Sequence, residues 1–168
     1  MKPALIAAAL ALAACALPSR SDASADGAGT DLALERPATG SPVCKPGEEA
    51  EKAFNGRNTS WTHDKFCTLE RPAWLQVDLG SEQRVRVFTV RHAGAAGEDV
   101  AMNTRAFRIR TSLDARRWDL AVDVAGNTES VTVHAITPRQ ARYVRLEVTE
   151  PGQRPDDPAT RIYELEVR

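Results

Sequence analysis

Three cysteines, at positions 15, 44 and 67, carry the most distinctive chemistry in this chain of 168 residues. No C-x-x-C pair and no Cys/His cluster at zinc spacing occurs, so neither dithiol catalysis nor a zinc centre is indicated. The chain also lacks G-x-S-x-G, H-E-x-x-H and a phosphate-binding glycine loop. The residue types therefore favour a non-catalytic protein. Charge excludes another class. With 22 basic and 23 acidic residues, bulk attraction to nucleic acid or to an anionic membrane surface is not indicated.

The cysteines fall into two settings. Residues 1–15 read MKPALIAAALALAAC, one lysine followed by an apolar run of 11 residues from Ala4 to Ala14. That run is too short to span a bilayer, which takes about 20 residues, and it suits the apolar region of a secretory signal. Its end, Leu12-Ala13-Ala14-Cys15, resembles a bacterial lipobox. Residues 1–14 are then a lipoprotein signal peptide and Cys15 is the lipidated residue; an ordinary signal that contains a cysteine is the alternative. Acyl chains on Cys15 would anchor the protein to the cell envelope through the membrane. Residues 15–40 are rich in Ala, Ser, Gly, Asp and Pro without a hydrophobic period, and read as a flexible tether. Cys44 and Cys67 remain. In an exported protein such a pair is expected to be oxidised, two buried free thiols being the alternative.

The elements that must position these residues lie in 41–168. WLQVDLG (74–80) alternates, with Leu75, Val77 and Leu79 on one face. RVRVFTV (84–90) puts Val85, Val87 and Thr89 opposite Phe88 and Val90. AFRIRTS (106–112), DLAVDV (119–124), SVTVHAI (130–136), ARYVRLEVTE (141–150) and the closing RIYELEVR continue the pattern. No stretch holds a helical period for three turns, and GEEAEKAFNG (47–56) is the one candidate for a short helix. Six or more half-buried strands at this spacing predict an all-β antiparallel sandwich or barrel. The arginines at 84, 86, 108 and 110 read as a solvated outer sheet face. Trp74 and Trp118 read as core or edge residues, and His134 points out of its strand without a visible partner.

EKAFNG, DKFC, PAWLQVDLG, NTRAFRIRTSLDARRW, GNTESVTVHAI, ARYVRLEVT and RIYELEV, in that order, resemble a discoidin (coagulation factor type C) domain. The pattern is similar to family 32 carbohydrate-binding modules and covers nearly all of 42–168. The resemblance implies a jelly-roll β-sandwich whose end loops bind ligand, and it supports a Cys44–Cys67 bridge. It further implies a structural calcium held by Asn55, Asp64 and Glu164, with the backbone carbonyl of Lys52. Asn55 replaces the usual aspartate there, and plain turn residues are the other reading of this set. Ala115 stands in the SLDARRW hairpin where glycine is common.

For ligand binding the resemblance implicates Arg91, His92, Glu98, Asn103 and Arg105, with Trp61 as a stacking platform and His63 beside it. Guanidinium and amide groups suit vicinal hydroxyls, and an aromatic face suits the apolar side of a sugar ring. Arg91 also reads as a surface ion-pair partner of Glu98 or Asp99, and Asn103-Thr104 as a turn. The expected function is non-catalytic carbohydrate recognition by an envelope-anchored module. A protein-interaction or structural role through the same loops is the alternative, with an unrecognised enzyme as the third.

Overall fold

The computed structural model describes residues 29–57 and 64–168. Cys15, Trp61 and His63 lie outside the described residues. The strands are β1 (Ala38–Gly40), β2 (Phe66–Thr68), β3 (Ala73–His92), β4 (Ala106–Ser112), β5 (Asp119–Val124), β6 (Val131–Glu150) and β7 (Thr160–Val167). Short 3-10 turns form at Ala50–Phe54, Ala93–Ala96 and Val100–Met102.

All strand pairs are antiparallel. β3 and β6 have 20 residues each and belong to both layers of a jelly roll. Their paired halves at 73–78 and 143–148 join β1, β4 and β5 in one layer. Their other halves, 87–91 and 131–135, join β7 and β2 in the second. Segments that read as four separate strands are thus two long, bent ones. Leu75, Val77, Phe107, Ile109, Val144 and Leu146 from the first layer meet Phe88, Val90, Leu165 and Val167 from the second, all fully buried. The expected all-β sandwich is the fold.

Three expectations need correction. First, Val85 shares the core-facing side with Phe88 and Val90 rather than the outer side with Val87 and Thr89. A register shift between Val85 and Val87 inserts a bulge, and a bulge reverses side-chain parity downstream. Second, the folded unit begins before Ser41. Leu32 donates its backbone N–H to the Val167 carbonyl (2.7 Å), Glu35 donates to that of Phe54 (2.7 Å), and Ala33 is fully buried. Residues 38–40 pair with β3 as β1. Polar composition hid this segment because it contributes mainly backbone bonds and small side chains. Third, His134 turns inward, edge-on to Phe107 at 5.6 Å between ring centres.

Trp74 and Trp118 lie outside the core. They sandwich the Arg145 guanidinium at 5.0 and 4.3 Å, while Gln76 accepts from the same group at 2.8 Å. The arginine faces are paired as a solvated sheet face should be, Arg108 with Asp123 and Arg110 with Glu147. Ala115 adopts a φ of +58°, the left-handed region where glycine is the usual occupant.

Candidate ligand-binding loops and cation site

The start of β7, the ends of β2 and β3, and the start of β4 meet at one pole of the sandwich, so the loops 43–49, 93–105 and 150–159 gather there. Cys44 and Cys67 form a disulfide across this pole, with Cα atoms 5.4 Å apart. Their backbones bond as well, Cys44 N–H to the Cys67 carbonyl at 2.9 Å. The bridge thereby fixes the 43–49 loop to β2 and to the start of β7.

Beside the disulfide opens a cavity of about 490 Å³, lined among others by Lys65, Leu69, Glu98, Met102 and Arg161. A buried charge cluster forms its floor. Glu98 accepts from Lys65 Nζ at 2.8 Å, from Arg161 Nε at 3.2 Å and from the Tyr163 hydroxyl. Glu48 lies 3.7 Å from the same lysine. Burying any one of these charges alone would be costly; together they satisfy one another. Burial, and then the Glu98 carboxylate, push the Tyr163 phenol well above its usual range. The phenol therefore stays a hydrogen-bond donor. Asp157 binds Arg161 at 2.9 Å, which holds the 150–159 loop over the cavity. Leu69, half exposed, and Met102 supply an apolar wall. Such a cavity offers fixed donors and acceptors beside an apolar surface, which is what a sugar ring requires.

A second cleft of about 270 Å³ lies on the other side of the same loop. It is lined by Arg71, Arg105, Glu150 and Arg154 together with Thr149, Pro151, Gly152, Gln153 and Pro155.

The implicated ligand residues are thus divided. Glu98 lines the first cavity and Arg105 the second. His92 is fully buried, its ring 5.4 Å from Phe107 and its Nε2 3.3 Å from the Thr132 hydroxyl. It cannot reach a ligand at the surface. Asn103 is also fully buried and acts as a loop staple. Its Oδ1 accepts from Gly94 N–H at 2.7 Å, and its Nδ2 donates to the Thr128 carbonyl at 3.0 Å. Arg91 lies on the outer face of the second layer, bonded to Glu166 at 3.0 Å rather than to Glu98 or Asp99. Lys65 and Arg161 lie in the DKFC and RIYELEV motifs but, like Arg71, carry no ligand-binding signal of their own, and only long-range contact brings them here.

The cation candidates are brought together. Asn55 Nδ2 donates to Asp64 Oδ1 at 2.7 Å, and Gly56 N–H donates to Glu164 Oε1 at 3.1 Å. Lys52 lies in the turn leading into Asn55. Glu164 Oε2 is buried with no partner among the described residues. Burial above all pushes this carboxyl up to about 8. A buried, unpaired carboxylate beside further hard oxygens fits a calcium ion.

A family model matches residues 37–165, that of the F5/8 type C domain. The chain belongs to this family. Among solved structures, the F5/8 type C domain described here is similar to the family 32 carbohydrate-binding module of Streptococcus pneumoniae EndoD. The two share 28% identity at a TM-score of 0.73, over 83% of this chain and 99% of that one. A variant of chitosan-binding module 1 from a chitosanase/glucanase of Paenibacillus sp. IK-5 shares 25% identity at a TM-score of 0.66, over 82% and 96%. The lectin domain of lectinolysin, solved with Lewis B antigen, shares the fold at 23% identity and a TM-score of 0.70, over 83% and 96%. No curated protein matches the chain.

Proposed function

We propose that this F5/8 type C domain is a non-catalytic carbohydrate-binding module that takes a sugar into the loop-end cavity beside the Cys44–Cys67 disulfide. The observation that carries the reading is the cavity itself. It has a pre-organised polar floor of Lys65, Glu98 and Arg161, with Leu69 and Met102 as an apolar wall. The similarity to carbohydrate-binding modules supports it. No nucleophile–base pair is needed for this role. Calcium held by Asn55, Asp64, Glu164 and the Lys52 carbonyl stiffens the turn under the loops. Lipidation at Cys15 places the module at the cell envelope.

The test is a binding screen of the full-length chain against mono- and oligosaccharides at up to millimolar concentration, read by calorimetry and by NMR shifts. A sugar-dependent signal localised to Leu69, Met102 and Asp157 is expected. Silence across the panel overturns the reading. For calcium, a saturating excess of about 100-fold over Kd stabilises by about 2.7 kcal/mol, seen as a rise in melting temperature. Glu164→Gln should remove that rise. A wild-type melting temperature indifferent to calcium rejects the cation.

A further inference from the structure

We propose that the cleft formed by Arg71, Arg105 and Arg154 binds an anionic substituent, a carboxylate or a sulfate, so that the module selects acidic glycans over neutral ones. The inference rests on the carbohydrate-binding reading and specifies the ligand class.

The two loop-end cavities differ in charge. Beside the disulfide, Lys45, Lys65 and Arg161 are matched by Glu48, Glu98 and Asp157. The second cleft sets three arginines against Glu150 alone. Arg154 is matched by Asp156 at 3.2 Å, with Asp99 and Asp157 acting on it as well, which leaves Arg71 and Arg105 against Glu150 in the cleft lining. This local excess stands out on a chain whose net charge is −1.

The cations are also available. Arg71 makes no ion pair with another described residue. Arg105 meets Glu150 at 3.2 Å, but both side chains are largely in solvent, at 43% and 58% exposure. The Arg154–Asp156 pair is similarly open. Exposed ion pairs of this kind contribute little, so an incoming anion displaces them readily. A guanidinium presents parallel N–H donors that match two oxygens of a carboxylate or sulfate.

The wall that carries Arg154 is held in place. Gln153 N–H donates to the Ala101 carbonyl at 2.8 Å. A Cβ added at Gly152 would come within 3.2 Å of the same carbonyl oxygen, so backbone lies directly against backbone. Pro151 and Pro155 restrict the rest of the loop. An anion therefore meets arginines on a pre-ordered surface. The same charge disfavours chitosan, which is cationic.

The closing experiment measures binding of the full-length chain to four probes: oligogalacturonate, a sulfated galactan oligosaccharide, neutral galacto-oligosaccharide and chitotriose. One or both acidic probes should bind at least 10-fold tighter than the neutral one, and the two arms distinguish carboxylate from sulfate. Affinity should fall as salt rises. Arg71→Ala and Arg105→Ala should each weaken acidic binding by about 10-fold while leaving the melting temperature unchanged. Neutral or cationic probes binding as tightly as acidic ones, or acidic binding that survives both substitutions, would overturn the inference and leave the carbohydrate reading standing. No binding to any of the four probes overturns the acidic-glycan inference, whereas the carbohydrate reading falls only with silence across the wider panel.

Discussion

His92 and His134 flank the Phe107 ring inside the sandwich, at 5.4 and 5.6 Å, and this arrangement links stability to pH. Burial first, and the neighbouring His134 second, lower the His92 imidazole from its usual 6.5 to about 4. The folded state thus keeps His92 neutral where the unfolded chain would protonate it. The stability contributed by His92 is complete above about 6.5 and is lost as pH falls from there towards 4. A shift of this size corresponds to about 3 kcal/mol. Glu164, held up to about 8, gains stability over the same interval, so the His92 contribution is read as the difference between wild type and His92→Leu in denaturant titrations at pH 7 and pH 4.5. His92→Leu, which puts an apolar side chain of similar volume there, should gain stability relative to wild type as pH falls; an unchanged difference would place the proton uptake elsewhere. Read from sequence, His92 and Asn103 look like ligand residues because both are polar and sit beside a loop. His92 is covered by Phe107 of β4 and Thr132 of β6, and Asn103 by Gly94 and the 128–130 segment before β6, contacts that local spacing does not encode.

At the scale of elements, the disulfide is the main constraint on the loop pole. It closes a separation of 23 residues, for which loop-closure entropy gives about 3 kcal/mol. Replacing both cysteines by alanine should lower unfolding free energy by about that amount in urea. The Cys44 N–H to Cys67 carbonyl bond remains, so the strand order should survive, with unchanged far-ultraviolet dichroism. The strands themselves were largely legible: the alternation of Leu75, Val77 and Leu79 matches their burial. Val85 departs from plain alternation and shares the core side with Phe88 and Val90 because the register shift between Val85 and Val87 inverts parity, and no residue type marks that bulge. The left-handed Ala115 shows the converse. There the hairpin pattern located the turn although its usual glycine is absent.

At the scale of the molecule, the described fold begins in a segment whose composition resembles a linker. The backbone bonds from Leu32 and Glu35, the buried Ala33 and strand β1 attach residues 29–40 to β7 and β3. A chain starting at Ser41 should melt about 5–10 °C lower than one retaining them, measurable by calorimetry. Equal melting temperatures would mean that the segment only decorates the surface. The candidate sites show how legibility depends on distance along the chain. The residues proposed for the cation, Asn55, Asp64 and Glu164, lie in short motifs at both chain ends. The Lys65–Glu98 contact joins residues 33 apart, and Arg71 meets the 149–155 loop only through the jelly-roll topology. Neither spacing forms a recognisable pattern.

The attachment of the N-terminal segment also sets a direction. Arg168 Nε donates to the Gly29 carbonyl at 2.9 Å, so the chain enters the domain where β7 ends, whereas the ligand loops stand where β7 begins. Eight residues of strand separate these poles, roughly 26 Å at about 3.3 Å per residue. The chain therefore enters at the pole opposite the two loop-end cavities, which face away from its point of entry, like the head of a probe held by its base.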